Sequence, residues 1–125
     1  RKVECLYDMT ESDVRNQGRF DDSIGIFPEF IDGYGVLILP TTGRYMQIPY
    51  RALMPKKISN LLVVGRSIGG DKIAHASNRN MSCCVVTGQG GGIAAALSIK
   101  NNKSLKEVNI VEVQKELKKQ NVRIN

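Results

Sequence analysis

The 125 residues suit one domain or a piece of a larger protein, and with 42% apolar and 24% charged side chains they can bury a modest core. The net charge of +6 is uneven: residues 1–32 carry four basic and eight acidic groups, residues 33–99 seven basic and one acidic, and residues 100–125 seven basic and three acidic. An acid-poor middle section suits an anionic ligand, while the absence of RNA-recognition aromatics and zinc-finger spacing argues against nucleic acid, and no apolar run reaches the roughly 20 residues of a membrane span.

In chain order, the opening RKVECLYDMTESDV has no apolar signal core, which fits a cytoplasmic protein. It also lacks an initiator methionine, so the expectation is a fragment whose upstream part is missing. Residues 10–33 read as a polar connection around the apolar patch SIGIFPEFI, interrupted by Gly18, Gly25, Pro28 and Gly33. Val36–Leu39 and Tyr45–Ile48 read as two short strands joined by TTGR, with Gly43 in the turn, and hence as a β-hairpin. PYRALMPKKISN is a proline-bounded connector.

Leu61–Gly65 is a short, continuous apolar run, the pattern of a strand covered on both faces in a parallel α/β sheet. RSIGGDKIAHASNRN then reads as a polar excursion at the strand's C-terminal edge, where α/β proteins place ligands. Met81 to Ile99 reads as one helix capped by Asn80 or Ser82 and ended by Lys100-Asn-Asn. A second helix follows Asn109, which with Glu112 forms a capping-box-like pair, and places Ile110, Val113 and Leu117 on one face. The odd count of cysteines, Cys5, Cys83 and Cys84, has no CxxC spacing; it argues for reduced thiols rather than a disulfide framework, and no metal constellation is visible.

The stretch TGQGGGIAAAL tests two readings. No lysine follows the glycines, so the P-loop pattern fails, and Gly90, Gly92 and Ala95 match GxGxxA without the strand–turn–helix setting it needs. Inside a helix, Gly88, Gly92 and Ala96, continued by Gly91 and Ala95, make a bare face for close packing. The ligand question then moves to the helix N-terminus at Asn80-Met81-Ser82, whose free amides and dipole favour negative charge.

IPYRALMPKKISNLLVVGRSIGG and AHASNRNMSCCVVTGQGGGIAAALSIK, with RFDDSIGIFP and VQKELKKQ at either end, resemble the C-terminal segment of FAD-dependent oxidoreductases. That family has a glutathione-reductase-like fold and the pattern IPYR-x-L-x-P…NLLVAGR…R-x-M…GQAAG-x-AAAL. The resemblance implies an α/β fold, the last parallel strand and long helix of a Rossmann-like FAD-binding domain at 55–125, preceded by the end of a substrate-facing β region and connector at 1–54. It implies FAD as cofactor, with Gly65 and Arg66 beside the ribityl–pyrophosphate stretch, Asp71 as an alternative ribityl partner, and Arg79, Asn80, Met81 and Ser82 at the pyrimidine end of the ring. A helix N-terminus there stabilises charge at the flavin N1–C2=O edge. The adenosine-diphosphate fingerprint of such proteins is absent from this sequence, so the upstream part of the polypeptide is an expected partner and the fragment is expected to be inactive alone.

Three residues stand out for chemistry at a small organic substrate. Arg51 has the fork to hold a carboxylate and Tyr50 a proton to donate, while His75, the only histidine, lies in the ligand-side loop as a general acid/base. The structural alternatives are an ion pair for Arg51, a packed ring for Tyr50 and an incidental loop position for His75. Substrate, electron acceptor and oligomeric state are left open. The alternative to an oxidoreductase is a non-catalytic α/β module that binds a nucleotide or protein partner through its basic middle section.

Overall fold

The computed structural model describes residues 3–125. Thr10 opens the first helix, α1 (Glu11–Arg15), with a reciprocal capping box: Thr10 Oγ1 accepts from the Asp13 amide and the Asp13 carboxylate accepts from the Thr10 amide. Five residues make this a single turn, and it buries Val14.

The expected polar connection at 10–33 contains a regular strand. β1 (Ser23–Pro28) carries the fully buried Ile24 and the buried Phe27, and pairs antiparallel with β4 (Tyr45–Pro49), which buries Met46 and Ile48. The expected hairpin between Val36–Leu39 and Tyr45–Ile48 does not form. Instead β2 (Ile31–Gly33) and β3 (Val36–Ile38) form a hairpin closed by Tyr34 and Gly35, and this hairpin is inserted between the two strands of the longer ribbon. Both tip residues have positive φ, 55° and 77°, as a type I′ turn requires. Gly43 turns the chain with φ 81°, but between β3 and β4, which are not paired.

Leu61–Val64 is not a strand among the described residues. A two-faced parallel strand needs neighbours on both edges, and here the Val63 amide bonds to Leu53 O alone, at 2.8 Å. Leu61 and Val64 accordingly stay 43% and 41% exposed. The excursion that follows is more ordered than its polarity suggests. A 3₁₀ turn at Gly65–Ser67 leads to α2 (Lys72–Asn78), whose N-cap Asp71 accepts from the Ala74 amide at 2.8 Å.

Helix α3 (Met81–Lys100) forms as expected, with Asn80 at its N-cap position. Although no apolar run stands out in the sequence, this helix is by length and composition alone long and apolar enough to cross a membrane, a test that core helices of soluble proteins also pass. Its buried face packs against β1 and against α4 (Ile110–Lys119). Close approach occurs at two glycines. A Cβ on Gly90 would lie 2.7–2.8 Å from Ile24 atoms, and one on Gly91 would lie 2.8 Å from Val64 Cγ1. Gly88 and Gly92, expected on the same bare face as Gly91, have nothing within 4 Å of that position. They lie instead on an exposed stripe with Met81, Val85, Ala96 and Ile99. The expected bare face is thus split: Gly91 makes a close contact, Gly88 and Gly92 make none, and Gly90 joins the packing from outside that face.

Asn109 caps α4 through the Val111 amide at 3.0 Å, and Val113 and Leu117 are fully buried. The capping box is not closed, because the Glu112 carboxylate accepts from Asn101 Nδ2 at 2.7 Å. The chain then returns to the ribbon, where Ile124 O accepts from Ser23 Oγ at 2.7 Å and from Gln47 Nε2 at 3.0 Å. One apolar cluster joins Met9, Ile24, Phe27, Ile48, Leu53, Ala94 and Leu117, so residues before and after position 54 share a core.

Candidate functional site

A cleft of about 790 Å³ lies where the β2–β3 tip, the segment after Leu61–Val64 and helix α2 meet. Arg66, Asp71 and His75, all singled out in the sequence, line it together with Tyr34, Ile68 and Lys72. The cleft is set by local rules. Gly65, at φ 64°, turns the chain away from the apolar run, and its amide donates to Thr87 Oγ1 of α3 at 2.9 Å. Asp71 then starts α2, which places Lys72 in its first turn and His75 one turn on, both on the cleft.

The electrostatics of the cleft are one-sided. Neither the Arg66 guanidinium nor the Lys72 ammonium has a hydrogen bond or ion pair with a described residue. Asp71, the lone carboxylate of the lining, gives one oxygen to the Ala74 amide and the other to the Glu11 amide at 2.8 Å. Its charge thus serves the ends of α1 and α2. His75 is half-buried, and its imidazole has no hydrogen-bond partner among the described residues.

The second place of interest is the start of α3. Asn80 takes extended φ and ψ, but its side chain turns back, donating to Ser77 O at 2.7 Å, so it makes no side-chain cap. The Cys84 amide is the first of α3 to reach an acceptor, Asn80 O at 3.0 Å, and the amides of Met81 and Ser82 precede it. Both residues are exposed, Met81 at 87%. Backbone donors without a side-chain cap at the positive end of a twenty-residue helix suit an electron-rich group. Arg79 stands beside them, with its guanidinium donating to Asp32 O at 2.7 Å.

Tyr50 and Arg51 do not line the cleft. Tyr50 is buried with its hydroxyl donating to Leu105 O at 2.9 Å, and burial pushes its phenol up to about 12. The Arg51 guanidinium lies 5.1 Å from the Tyr7 ring centroid and 5.6 Å from that of Phe20, and pairs with Asp22 at 3.5 Å. Both therefore hold together the connector between β4 and the Leu61–Val64 run. Tyr34 and Lys72 escaped the sequence reading. The signal for Tyr34 was the Asp-Gly-Tyr-Gly run between two apolar stretches, a hairpin tip at least as good as TTGR.

No disulfide joins the three cysteines; Cys5 and Cys83 are buried and Cys84 is half-buried. Among comparisons with known proteins, the family described as FAD dependent oxidoreductase matches residues 1–117. No curated protein and no solved structure matches the chain.

Proposed function

On the premise that this chain belongs to the FAD-dependent oxidoreductases, with FAD as the family's cofactor, we propose that it oxidises a small organic substrate at the cleft lined by α2. The observation that carries this reading is the open first turn of α3: backbone donors at Met81 and Ser82 with no side-chain cap, preceded in the chain by the cleft-lining helix α2. FAD, when bound, supplies the hydride acceptor. The Met81 and Ser82 amides would hold its pyrimidine edge, and the helix dipole would stabilise negative charge there. Gly65 would flank the ribityl–pyrophosphate stretch, and Arg66, which lines the cleft, is assigned to the substrate instead.

Of the candidates for chemistry, His75 has the position to take or give a proton at a ligand in the cleft. We assign Tyr50 and Arg51 to the frame, because the Leu105 carbonyl, Asp22 and two aromatic rings already engage them. We also propose a glutathione-reductase-like architecture, in which Leu61–Val64 becomes the last strand of a Rossmann-like sheet supplied by an upstream part of the polypeptide. Residues 55–125 would then belong to the FAD domain and residues 1–54 to the substrate-facing region. The exposed, unpaired state of that run supports this reading. We also propose a cytoplasmic setting, which the odd count of three cysteines without CxxC spacing supports.

The test is flavin retention by the chain purified with FAD and with the preceding segment of its polypeptide. Visible flavin absorbance is expected. Ser82→Pro removes one amide donor at a position where a helix tolerates proline, and Met81→Asp adds a repelling charge; both should weaken retention. A colourless protein with a normal fold would sink the proposal.

A further inference from the structure

The hairpin tip carries a residue that its backbone does not favour. Position 34 has φ 55° in a two-residue type I′ turn, where asparagine, aspartate or glycine fits best, and it holds a tyrosine. The ring adds nothing to the core, since Tyr34 is 64% exposed, yet it forms one wall of the cleft. The tip is held in place. A Cβ on Gly33 would lie 3.3 Å from Ala76 Cβ, so β2 rests closely on α2, and Arg79 bonds to Asp32 at the base of the hairpin. Arg66 and Lys72 line the same cleft as the ring, together with the buried Ile68. With Asp71 bound to backbone amides, these three charged groups leave the lining with one positive charge net.

We propose that Tyr34 sets substrate specificity, and that the cleft takes a flat, conjugated carboxylate, stacked on the Tyr34 ring with its charge at Arg66 and Lys72. An aromatic face selects a planar partner, a guanidinium fork matches a carboxylate, and a single net positive charge suits a monoanion. The inference rests on the oxidoreductase reading for calling this ligand a substrate, but its binding can be measured without flavin.

The experiment is an NMR titration of the isotopically labelled chain with benzoate, cyclohexanecarboxylate and benzyl alcohol. Benzoate should shift the amides of Ser67, Gly70 and Lys72 saturably. The other two, one anionic but not planar and one planar but not anionic, should bind about tenfold more weakly. Tyr34→Asn installs a residue the turn prefers, so the fold should hold while benzoate affinity falls by about fivefold to tenfold; Tyr34→Phe should keep it. Equal binding of cyclohexanecarboxylate, unchanged affinity in Tyr34→Asn, or no saturable shift would overturn the proposal. Displacement of benzoate by FAD would overturn it too, by giving the cleft to the cofactor. A chain that binds benzoate but stays colourless with FAD, even when purified with the preceding segment of its polypeptide, upholds the cleft and sinks the flavin reading instead.

Discussion

The Arg79 guanidinium donates to the Asp32 carbonyl at 2.7 Å and lies 3.9 Å from the Asp32 carboxylate, tying the β2–β3 hairpin to the residue that ends α2. Both side chains are substantially exposed, so the ion pair itself contributes little and the bond to the carbonyl carries most of the effect. Arg79→Ala should cost about 1 kcal/mol or less in global stability. Hydrogen exchange at Asp32 to Val36 should quicken markedly while the amides of α3 keep their protection. Equal loss of protection in both would mean the hairpin is not a separate unit.

The glycines of α3 give opposite signs at neighbouring positions. Gly90→Ala drives a methyl into Ile24 and should destabilise by about 1–3 kcal/mol. Gly92→Ala points into open space and should stabilise by about 0.5–1 kcal/mol, because it only removes backbone freedom from a helix interior. Denaturant midpoints of the two variants read the contrast directly, and destabilisation by both would show that the exposed stripe is covered.

Asp71 bonds two backbone amides, that of Ala74 three residues on and that of Glu11 sixty residues earlier in the chain. Asp71→Ala removes a helix cap and leaves a second amide without its carboxylate, at about 2–3 kcal/mol together. Thermal unfolding checks this. A variant of unchanged stability with weakened flavin retention would move Asp71 from the frame to the cofactor.

The cysteines separate by exposure and by pH. Cys84 is half-buried and should react with a thiol reagent in the native state, while Cys5 and Cys83 should wait for unfolding; Cys84→Ser should abolish the early phase. Burial, helped by neighbouring Cys84, pushes the Cys83 thiol from 9.0 to about 12. Burial likewise raises Tyr50, and burial with the Asp13 hydrogen bond raises Tyr7, both from 10.0 to about 12. Between these values the unfolded chain releases protons that the folded chain keeps, so this stability is complete below about pH 9 and is lost as pH rises toward 12. Denaturation at pH 8 and pH 10.5 should show a lower midpoint at the higher pH, with a smaller drop in Cys83→Ala.

Local signals were the legible ones. Helix α3, its Asn80 start and the Asn109 cap of α4 follow from periodicity and capping chemistry within a few residues. What failed were pairings set at a distance. Nothing in SIGIFP announces that Phe27 will lie opposite Met46, and a second turn signal at Gly43 drew the hairpin to the wrong partners. Helix α2 was hidden because seven residues rich in alanine, serine and asparagine show no apolar stripe; Asp71 starts it by capping. The Leu61–Val64 run reads as a strand on composition, but a strand is a relationship, and no second strand runs beside it among the described residues. At the site, Arg66, Asp71 and His75 share the cleft because they follow one another along a short stretch, whereas Tyr34 arrives by a fold-back that only the ribbon explains.

The two bonds to the Ile124 carbonyl bear on the order of events in folding. Ser23 and Gln47, on opposite strands of the ribbon, both use an acceptor that lies 101 and 77 residues later in the chain. Closing a loop of that size is entropically slow compared with forming α3 or the β2–β3 hairpin. During synthesis the ribbon would therefore leave the ribosome with two donors still turned to water, and its final registration would wait until residue 124 has emerged.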